Sequence, residues 1–372
     1  MSTTFSQTRP RSVGRPANRK GELVGYLREA IVSGRLLPGE RMPTHEQLIQ
    51  QFGASSGTVN NALTELRECG FVEVRGSLGT FVSDSLPYQT RYAVVFGRPK
   101  GETAGQGYTA SLAKECARVR KTQVDERELE IVPFYGLNRD LDSPDYNRLM
   151  AEVRAHRIAG IIAANDIWRV FEEEDIVASK IPLVANAVLD ESFPFSSIKL
   201  DDSAFMETAI ESLHQRGAKR PGLIFSVTDK AKYSSEWREC IASHGMSAEP
   251  YCIQTVNLAS PEAARNIAHL MMMLADDRRP DSMVIVDDNL VPYATAGLRD
   301  AGITPTDTFP IVAHANFPWP TDCLLPALRV GFDLAEMIRI CVGIIDRMRS
   351  NGGATEHQTV AAVSHWDAGL AP

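Results

Sequence analysis

Apolar positions in the first ninety residues recur at helical spacing in three short runs. Leu23, Leu27, Ala30 and Ile31 share one face of a segment over 19–33, which Gly34 ends. Leu48, Ile49 and Phe52 mark a second stripe, and Val59, Ala62, Leu63 and Leu66 a third; the two segments meet at a tight break around Gly53 and Ala54. Thr44 and Gln47 have capping-box spacing at the first start, Ser56 is a natural cap for the second, and Gly70 is placed to end it. Two helices joined by a short turn make the helix-turn-helix pattern, whose second helix enters the DNA major groove. Periodicity alone fits an ordinary helical hairpin equally well. Next, Phe71–Ser83 holds two β-rich runs around Arg75-Gly76-Ser77-Leu78-Gly79, which predicts a hairpin, or wing.

Beyond a polar linker over 85–91 the pattern changes to apolar strands alternating with amphipathic helices. Strands are predicted at Tyr92–Phe96, Glu128–Phe134, Gly160–Ala164, Pro182–Ala185, Gly222–Ser226, Tyr251–Val256, Ser282–Asp287 and Phe309–Ala313. Helices are predicted at Tyr108–Arg120, Tyr146–His156, Ala204–Arg216, around Glu236–Ser243, 261–275, Tyr293–Ala301 and Asp333–Met348. This alternation predicts α/β architecture with parallel sheets and helices on both faces. The expected organisation is an arm over 1–18, a first domain over 19–84, a linker over 85–91, a second domain over 92–350 and a tail over 351–372.

Composition narrows the function classes. A chain of 372 residues accommodates two domains, and 44% apolar with 23% charged residues is ordinary for a soluble protein. No uninterrupted apolar run reaches membrane length and the N-terminus lacks a signal-peptide core, so a cytoplasmic protein without membrane partners is expected. Six dispersed cysteines with no CxxC pair fit packing in a reducing compartment. The net charge of −8 hides an asymmetry: residues 1–20 carry +5, residues 21–87 carry −3, and the remainder is strongly acidic. A basic arm on an acidic body suits a polyanion held at one end. Within the arm, Val13-Gly14-Arg15-Pro16 resembles part of an AT-hook core, which would place Arg15 in an A/T-rich minor groove; the alternative is a solvated tether.

Helix, turn, helix-turn-helix and wing in that order, with Gly34-Arg35-Leu36-Leu37-Pro38-Gly39-Glu40-Arg41-Met42-Pro43, Phe52-Gly53-Ala54-Ser55, Thr58-Val59 and Gly79-Thr80-Phe81-Val82, resemble the GntR family of winged-helix bacterial transcription factors. The resemblance spans about residues 19–84. It implies DNA contacts from Ser55, Ser56, Gly57, Thr58 and Asn60 at the start of the recognition helix. Ser56, Asn60 and Glu46 stand where many members carry arginine. Arginine reads guanine and asparagine reads adenine, so Asn60 or Asn61 is expected to read A·T pairs. Arg28, Arg41, Thr44, Arg75, Gly79 and Thr80 complete the expected DNA-facing set; each asparagine has a solvated helix surface as its alternative.

Ser197-Ile198-Lys199-Leu200-Asp201-Asp202, Val286-Asp287-Asp288-Asn289-Leu290 and Leu325-Pro326-Ala327-Leu328 resemble the LacI/GalR-type regulatory domain, similar to periplasmic-binding proteins with two lobes about a hinge. Joined to a GntR-like reader, this is the layout of arabinose-repressor-like regulators. Ligands of such sheets bind at the carboxyl ends of strands. That places Phe96, Arg98, Asn165, Trp168, Asn186, Asp287, Asp288, His314, Asn316 and Trp319 at an expected sugar-like effector site. A family arginine aligns with Tyr233, leaving Lys230 and Lys232 nearby, and a family aspartate aligns with Ala315. A different pocket, using Tyr233 and Asn316 with Lys232 beside them, is therefore expected, with a domain that only dimerises as the alternative.

No GxSxG, P-loop or GxGxxG motif is present and no metal-ligand spacing is evident, so no enzyme, cofactor or metal is expected. The expected protein is a DNA-binding repressor that binds a palindromic double-stranded operator as a homodimer. The rival from another class is a solute-binding protein.

Overall fold

Thr44 closes the first turn of an eight-residue helix by two reciprocal bonds: its amide donates to Gln47 Oε1 at 2.7 Å and its hydroxyl accepts from Gln47 N at 3.3 Å. Gly53, at φ 58°, ends that helix in the left-handed region, where a side chain is disfavoured. So short a helix needs both ends fixed. In this computed structural model the described residues are 19–101, 107–119, 123–124, 127–137, 143–164, 174–186, 195–226, 230–306, 308–350 and 355–367. The chain divides into two units, Met1–Gln89 and Thr90–Pro372.

The first unit contains α1 (Arg19–Val32), α2 (His45–Phe52), α3 (Ser56–Glu68), β1 (Val72–Val74) and β2 (Thr80–Val82), and α4 (Pro87–Thr90) follows at its end. Leu23, Leu27, Ala30 and Ile31 are buried with Leu48, Val59, Ala62 and Leu66, while Ile49, Phe52 and Leu63 pack half-buried at the edge. Strands β1 and β2 pair antiparallel, Val72 opposite Val82, and a 3₁₀ turn over Gly76–Leu78 closes the wing. One cap differs from expectation. Ser55, not Ser56, caps α3: its hydroxyl accepts from Thr58 N at 3.1 Å, and Ser56 is the first helical residue. Both serines can cap a helix; the extended backbone at Ser55 (ψ 157°) decides between them.

The second unit opens with β3 (Arg91–Val95), α5 (Gly107–Val119), β4 (Gln123–Val124), β5 (Arg127–Glu128), β6 (Glu130–Phe134), α6 (Pro144–Arg154), β7 (Gly160–Ala163), α7 (Glu174–Ser179), β8 (Leu183–Asn186) and β9 (Ser196–Leu200). It continues with α8 (Asp202–Gln215), β10 (Pro221–Ser226), α9 (Lys230–Ser243), β11 (Ile253–Val256), α10 (Ala263–Met272), β12 (Ser282–Ile285), α11 (Val291–Asp300), β13 (Ile311–Phe317) and β14 (Leu328–Asp333). Last come α12 (Leu334–Ser350), β15 (His357–Val360) and β16 (Val363–Trp366). Among the described residues twelve of these strands form two six-stranded sheets, ordered β15-β9-β8-β7-β3-β6 and β11-β10-β12-β13-β14-β16, while β4 and β5 pair with each other antiparallel. Within these two sheets neighbouring strands run parallel except β14 and β16. Strands such as β7 are buried on both faces, which is why they read as continuous apolar runs.

Among the described residues the chain passes between the lobes at Leu200–Asp202, at Asp333–Leu334 and between β15 and β16. Two of these passages lie side by side, since Asp201 N donates to Val360 O at 3.0 Å. Asp201 and Asp333 also cap the helices that follow them, accepting from Ala204 N at 3.0 Å and Ala335 N at 2.8 Å. Residues 357–366, left in a tail by the sequence pattern, thus add one strand to each sheet. Two four-residue runs carry too little periodicity to be recognised without the sheets they join.

Candidate nucleic-acid interface and interlobe cleft

Val59, Ala62 and Leu66 turn inward from α3, so the helical period leaves Ser56, Gly57, Asn60 and Asn61 on its exposed side, beside exposed Ser55. Thr58 is half-buried, its hydroxyl 2.8 Å from that of Ser55. This side presents small hydroxyls and two amides at a helix N-terminus, where backbone N–H groups and the helix dipole favour a phosphate. Thr44 is exposed, but its polar groups serve the capping box. Thr80 is half-buried and its carbonyl accepts from Met42 N at 2.9 Å. Gly79, at φ 112°, lets the wing pass close to exposed Arg41.

The expected cations divide. Arg28 sets its guanidinium over the Phe71 ring at 5.7 Å, and Arg35 does the same over Tyr26 at 5.4 Å. Arg75 pairs with Glu73 at 2.6 Å and Asp84 at 2.8 Å and lies 4.9 Å from the Phe81 ring centroid. A phosphate would have to compete with these partners. Arg19 donates to the Gly53 carbonyl and Lys20 pairs with Glu65 at 2.8 Å, so both fasten α1 to the helix-turn-helix. Arg15 lies outside the described residues.

In the second unit the carboxyl ends of β3, β8, β12 and β13 converge. Phe96 is buried and stacks on Tyr135, centroids 4.9 Å apart. Asn186 Nδ2 donates to Tyr108 Oη at 2.7 Å. From the other lobe, Asp287 is occupied in its own turn, accepting from Asn289 N at 2.9 Å and Nδ2 at 2.8 Å. Asp288 is 3% exposed and accepts from Asn316 Nδ2 at 2.7 Å. His314 and Asn316 alternate along β13, so they share one face. His314 Nδ1 and Asn316 Oδ1 are buried and find no partner among the described residues. Arg98 is exposed. Asn165 and Trp168, and the side chains of Lys232 and Tyr233, lie outside the described part of the structure.

The lobes touch through α5, which sequence reasoning did not place at the site. Gly107 N donates to Asn289 Oδ1 at 2.7 Å, and a Cβ at position 107 would overlap the Asp288 carboxylate. Glycine is what allows this helix start to press so closely. Farther along α5, Ser111 Oγ donates to the Trp319 carbonyl at 3.3 Å, and fully buried Glu115 accepts from Trp319 Nε1 at 3.0 Å while holding Arg118 at 2.6 Å. Trp319 is therefore engaged as an interlobe tether. It also lines a recess of about 410 Å³ with Arg118, Pro318, Asp333 and Ala335, next to one interlobe passage.

Burial pushes the Asp288 carboxyl above its ordinary range of 3.8, with His314 acting in the opposite direction. The native state thus holds this proton more tightly than the unfolded chain, so stability falls as pH rises from the ordinary value through the raised one. Asp288→Asn is expected to be more stable than the parent at neutral pH, because the amide leaves no charge to bury. That gain should shrink toward zero as pH falls to about the unfolded carboxylate value. Thermal unfolding of both proteins across pH checks it; a variant less stable at neutral pH would make the charged carboxylate net stabilising.

Residues 19–82 match the family described as bacterial regulatory proteins, gntR family. A stretch of 83 residues is 35% identical to the HTH-type transcriptional regulator Rv1152 of Mycobacterium tuberculosis, covering 22% of this chain and 69% of that protein. Over 352 residues the chain is 22% identical to the arabinose metabolism transcriptional repressor of Geobacillus stearothermophilus, covering 83% of this chain and 86% of the relative. Among solved structures, a LacI family transcriptional regulator from Arthrobacter sp. FB24 in complex with lactose superposes with a TM-score of 0.55 at 12% identity, over 74% of this chain and 97% of that one. This last likeness is one of fold.

Proposed function

Because this chain belongs to the gntR family of bacterial regulatory proteins, we propose that it is a ligand-responsive transcriptional repressor, binding a palindromic operator as a homodimer and releasing or gripping it when a small polyhydroxylated ligand enters the interlobe cleft. The relatives are transcriptional regulators, and no catalytic role is assigned to any residue. The observation that carries the ligand reading is the pair of buried, unpartnered polar atoms, His314 Nδ1 and Asn316 Oδ1, on one face of β13 where strand ends converge. Hydroxyl groups both donate and accept, so one class of ligand answers both atoms. A relative matched over 83% of this chain is an arabinose metabolism transcriptional repressor, and the lactose-bound regulator shares the two-lobed fold. A ligand that binds one lobe angle better than another shifts the population between them, and the operator feels the shift through the spacing of the paired reading heads.

Ser55, Ser56, Gly57 and Thr58 are assigned to phosphates, Asn60 and Asn61 to adenine edges, and Arg41, Gly79 and Thr80 to the backbone beside the wing. Asn60→Ala is expected to cost about 1–3 kcal/mol on the preferred site and to relax preference at one base pair. Competition binding with single-base operator variants measures this. A uniform weakening on all DNA would instead make Asn60 a phosphate or folding residue.

One observation favours a second reading, a sensor that only dimerises. The cleft groups Asp288, Asn289 and Trp319 already satisfy one another and α5 across the lobes. In vitro selection of bound DNA, repeated with carbohydrates present, separates the two. The proposed function predicts an enriched inverted repeat whose recovery changes with at least one sugar; no enriched motif at all would remove it.

A further inference from the structure

The second lobe carries a cluster of side chains on the helices α8 and α9 that DNA binding and the cleft do not use. Glu207 lies on α8; Cys240 lies in the last turn of α9, and His244 follows four residues later. Glu207 Oε2 accepts from Cys240 Sγ at 3.3 Å, and Glu207 Oε1 stands 3.3 Å from His244 Nε2. One ligating atom from each residue falls within 4.8 Å of the others. The second ring nitrogen of His244, Nδ1, lies 2.9 Å from the Cys240 carbonyl oxygen. A carbonyl oxygen accepts only, so Nδ1 carries a proton, which leaves Nε2 as the ring nitrogen that faces the carboxylate and is placed to ligate. At 3.3 Å an ion coordinated by both groups can take the place of the proton that otherwise joins Nε2 to the carboxylate.

We propose that Glu207, Cys240 and His244 form a binding site for a divalent transition-metal ion of the zinc type. A thiolate and an imidazole with one carboxylate select such an ion over magnesium or calcium, which take oxygen ligands. Bonds of about 2.3 Å to sulfur and about 2.0–2.2 Å to nitrogen and oxygen, at tetrahedral angles, set donor atoms roughly 3.3–3.6 Å apart. Cys240 Sγ to Oε2 and His244 Nε2 to Oε1, each 3.3 Å, set sulfur and nitrogen near that spacing from the two oxygens of one carboxylate. His244 also shows the orienting bond expected of a ligand, its far nitrogen donating to a backbone carbonyl. The fourth position falls to water or to His214, which is exposed on α8 with its ring centroid 6.0 Å from that of His244. On binding, the Cys240 thiol proton leaves to solvent and the ion takes its place. The ion would tie α8, which starts at an interlobe passage, to α9.

The test uses the full chain, reduced and stripped by a chelator, titrated with Co²⁺. One equivalent per chain is expected, with near-ultraviolet thiolate-to-metal absorption and the visible bands of a tetrahedral ion, both displaced by Zn²⁺. Cys240→Ser, His244→Ala and Glu207→Gln should each weaken binding at least about tenfold, and Cys240→Ser should abolish the thiolate band. Cys69→Ser, in the other unit, should leave both readouts unchanged. Circular dichroism establishes that each variant is folded; Glu207→Gln, the most conservative and the most exposed, keeps the test open where another variant unfolds. No thiolate band in the folded parent chain, or binding indifferent to the substitutions (an adventitious ion only), would overturn the proposal.

Discussion

Gly331→Ala is expected to destabilise the second unit by about 3 kcal/mol or more, at the upper end of what overpacking costs. Gly331 sits in β14, opposite Ala315 of β13 and Val363 of β16. A Cβ there would overlap the Ala315 carbonyl oxygen and lie 2.8 Å and 2.9 Å from the carbonyl carbon and amide nitrogen of the same residue. These are backbone atoms of a buried strand, so no side-chain rotation relieves the overlap and the two strands must part. The melting temperature should fall by roughly 6–12 °C, at about 2–4 °C per kcal/mol for a large domain. Gly25→Ala is the control. Gly25 is exposed in α1 with nothing within 4 Å of the added carbon, and should become more stable by about 0.4–1 kcal/mol. An unchanged melting temperature for Gly331→Ala would contradict the β13–β14 register, and with it the placing of His314 and Asn316 at the cleft.

Removal of residues 1–18 is expected to flatten the dependence of operator affinity on salt. The segment carries Arg9, Arg11 and Arg15 and no acid. Three phosphates released from contact correspond to about 2.7 units in the slope of log K against log salt, or roughly 40-fold across the interval from 50 to 200 mM. The structure strengthens this expectation by showing where other cations go. Arg28 and Arg35 cover aromatic rings, Arg75 is held by two carboxylates, and Arg19 and Lys20 bind α1 to its neighbours. A reading head with net charge −3 over residues 21–87 is then expected to grip through the arm together with Arg41. A salt titration of the truncated and full chains decides it; equal slopes would show that the arm contacts no phosphate.

The first unit was legible because its signals are local. The stripe Leu23–Ile31, the capping box at Thr44 and Gln47, and the turn glycines each act within a few residues, and the structure places them as the pattern implies. The cap of α3 slipped by one residue because two adjacent serines satisfy the same rule. In the second unit the longer apolar strands were legible and the polar ones were not. β9 holds three polar residues among five, β14 holds Arg329 and Gly331, and β15 and β16 are four residues each. Arg329 is 6% exposed and tolerable there because Asp367, 38 residues away, accepts from it at 3.1 Å. The cleft was half legible. Strand ends located Asp288 and Asn316, but the Trp319–Glu115 bond joins residues 204 apart, and no local pattern announces such a partner. Glu207 and Cys240 likewise come from different helices, 33 residues apart.

The interlobe bonds also bear on how a ligand would act. Gly107 to Asn289 and Glu115 to Trp319 hold α5 against the second lobe, so a ligand entering near His314 and Asn316 must exchange contacts with this tether or bind beneath it. A ligand that exchanges contacts with the tether binds one lobe arrangement better than another, which is the condition for coupling to DNA. The most direct test is the affinity of the full chain for its selected operator, measured by fluorescence anisotropy at fixed salt, with and without each member of a panel of pentoses, hexoses and disaccharides. A change of about 5- to 150-fold with at least one of them, the usual range of allosteric coupling, is the predicted result. Tight operator binding that stays constant across every sugar in the panel would contradict it.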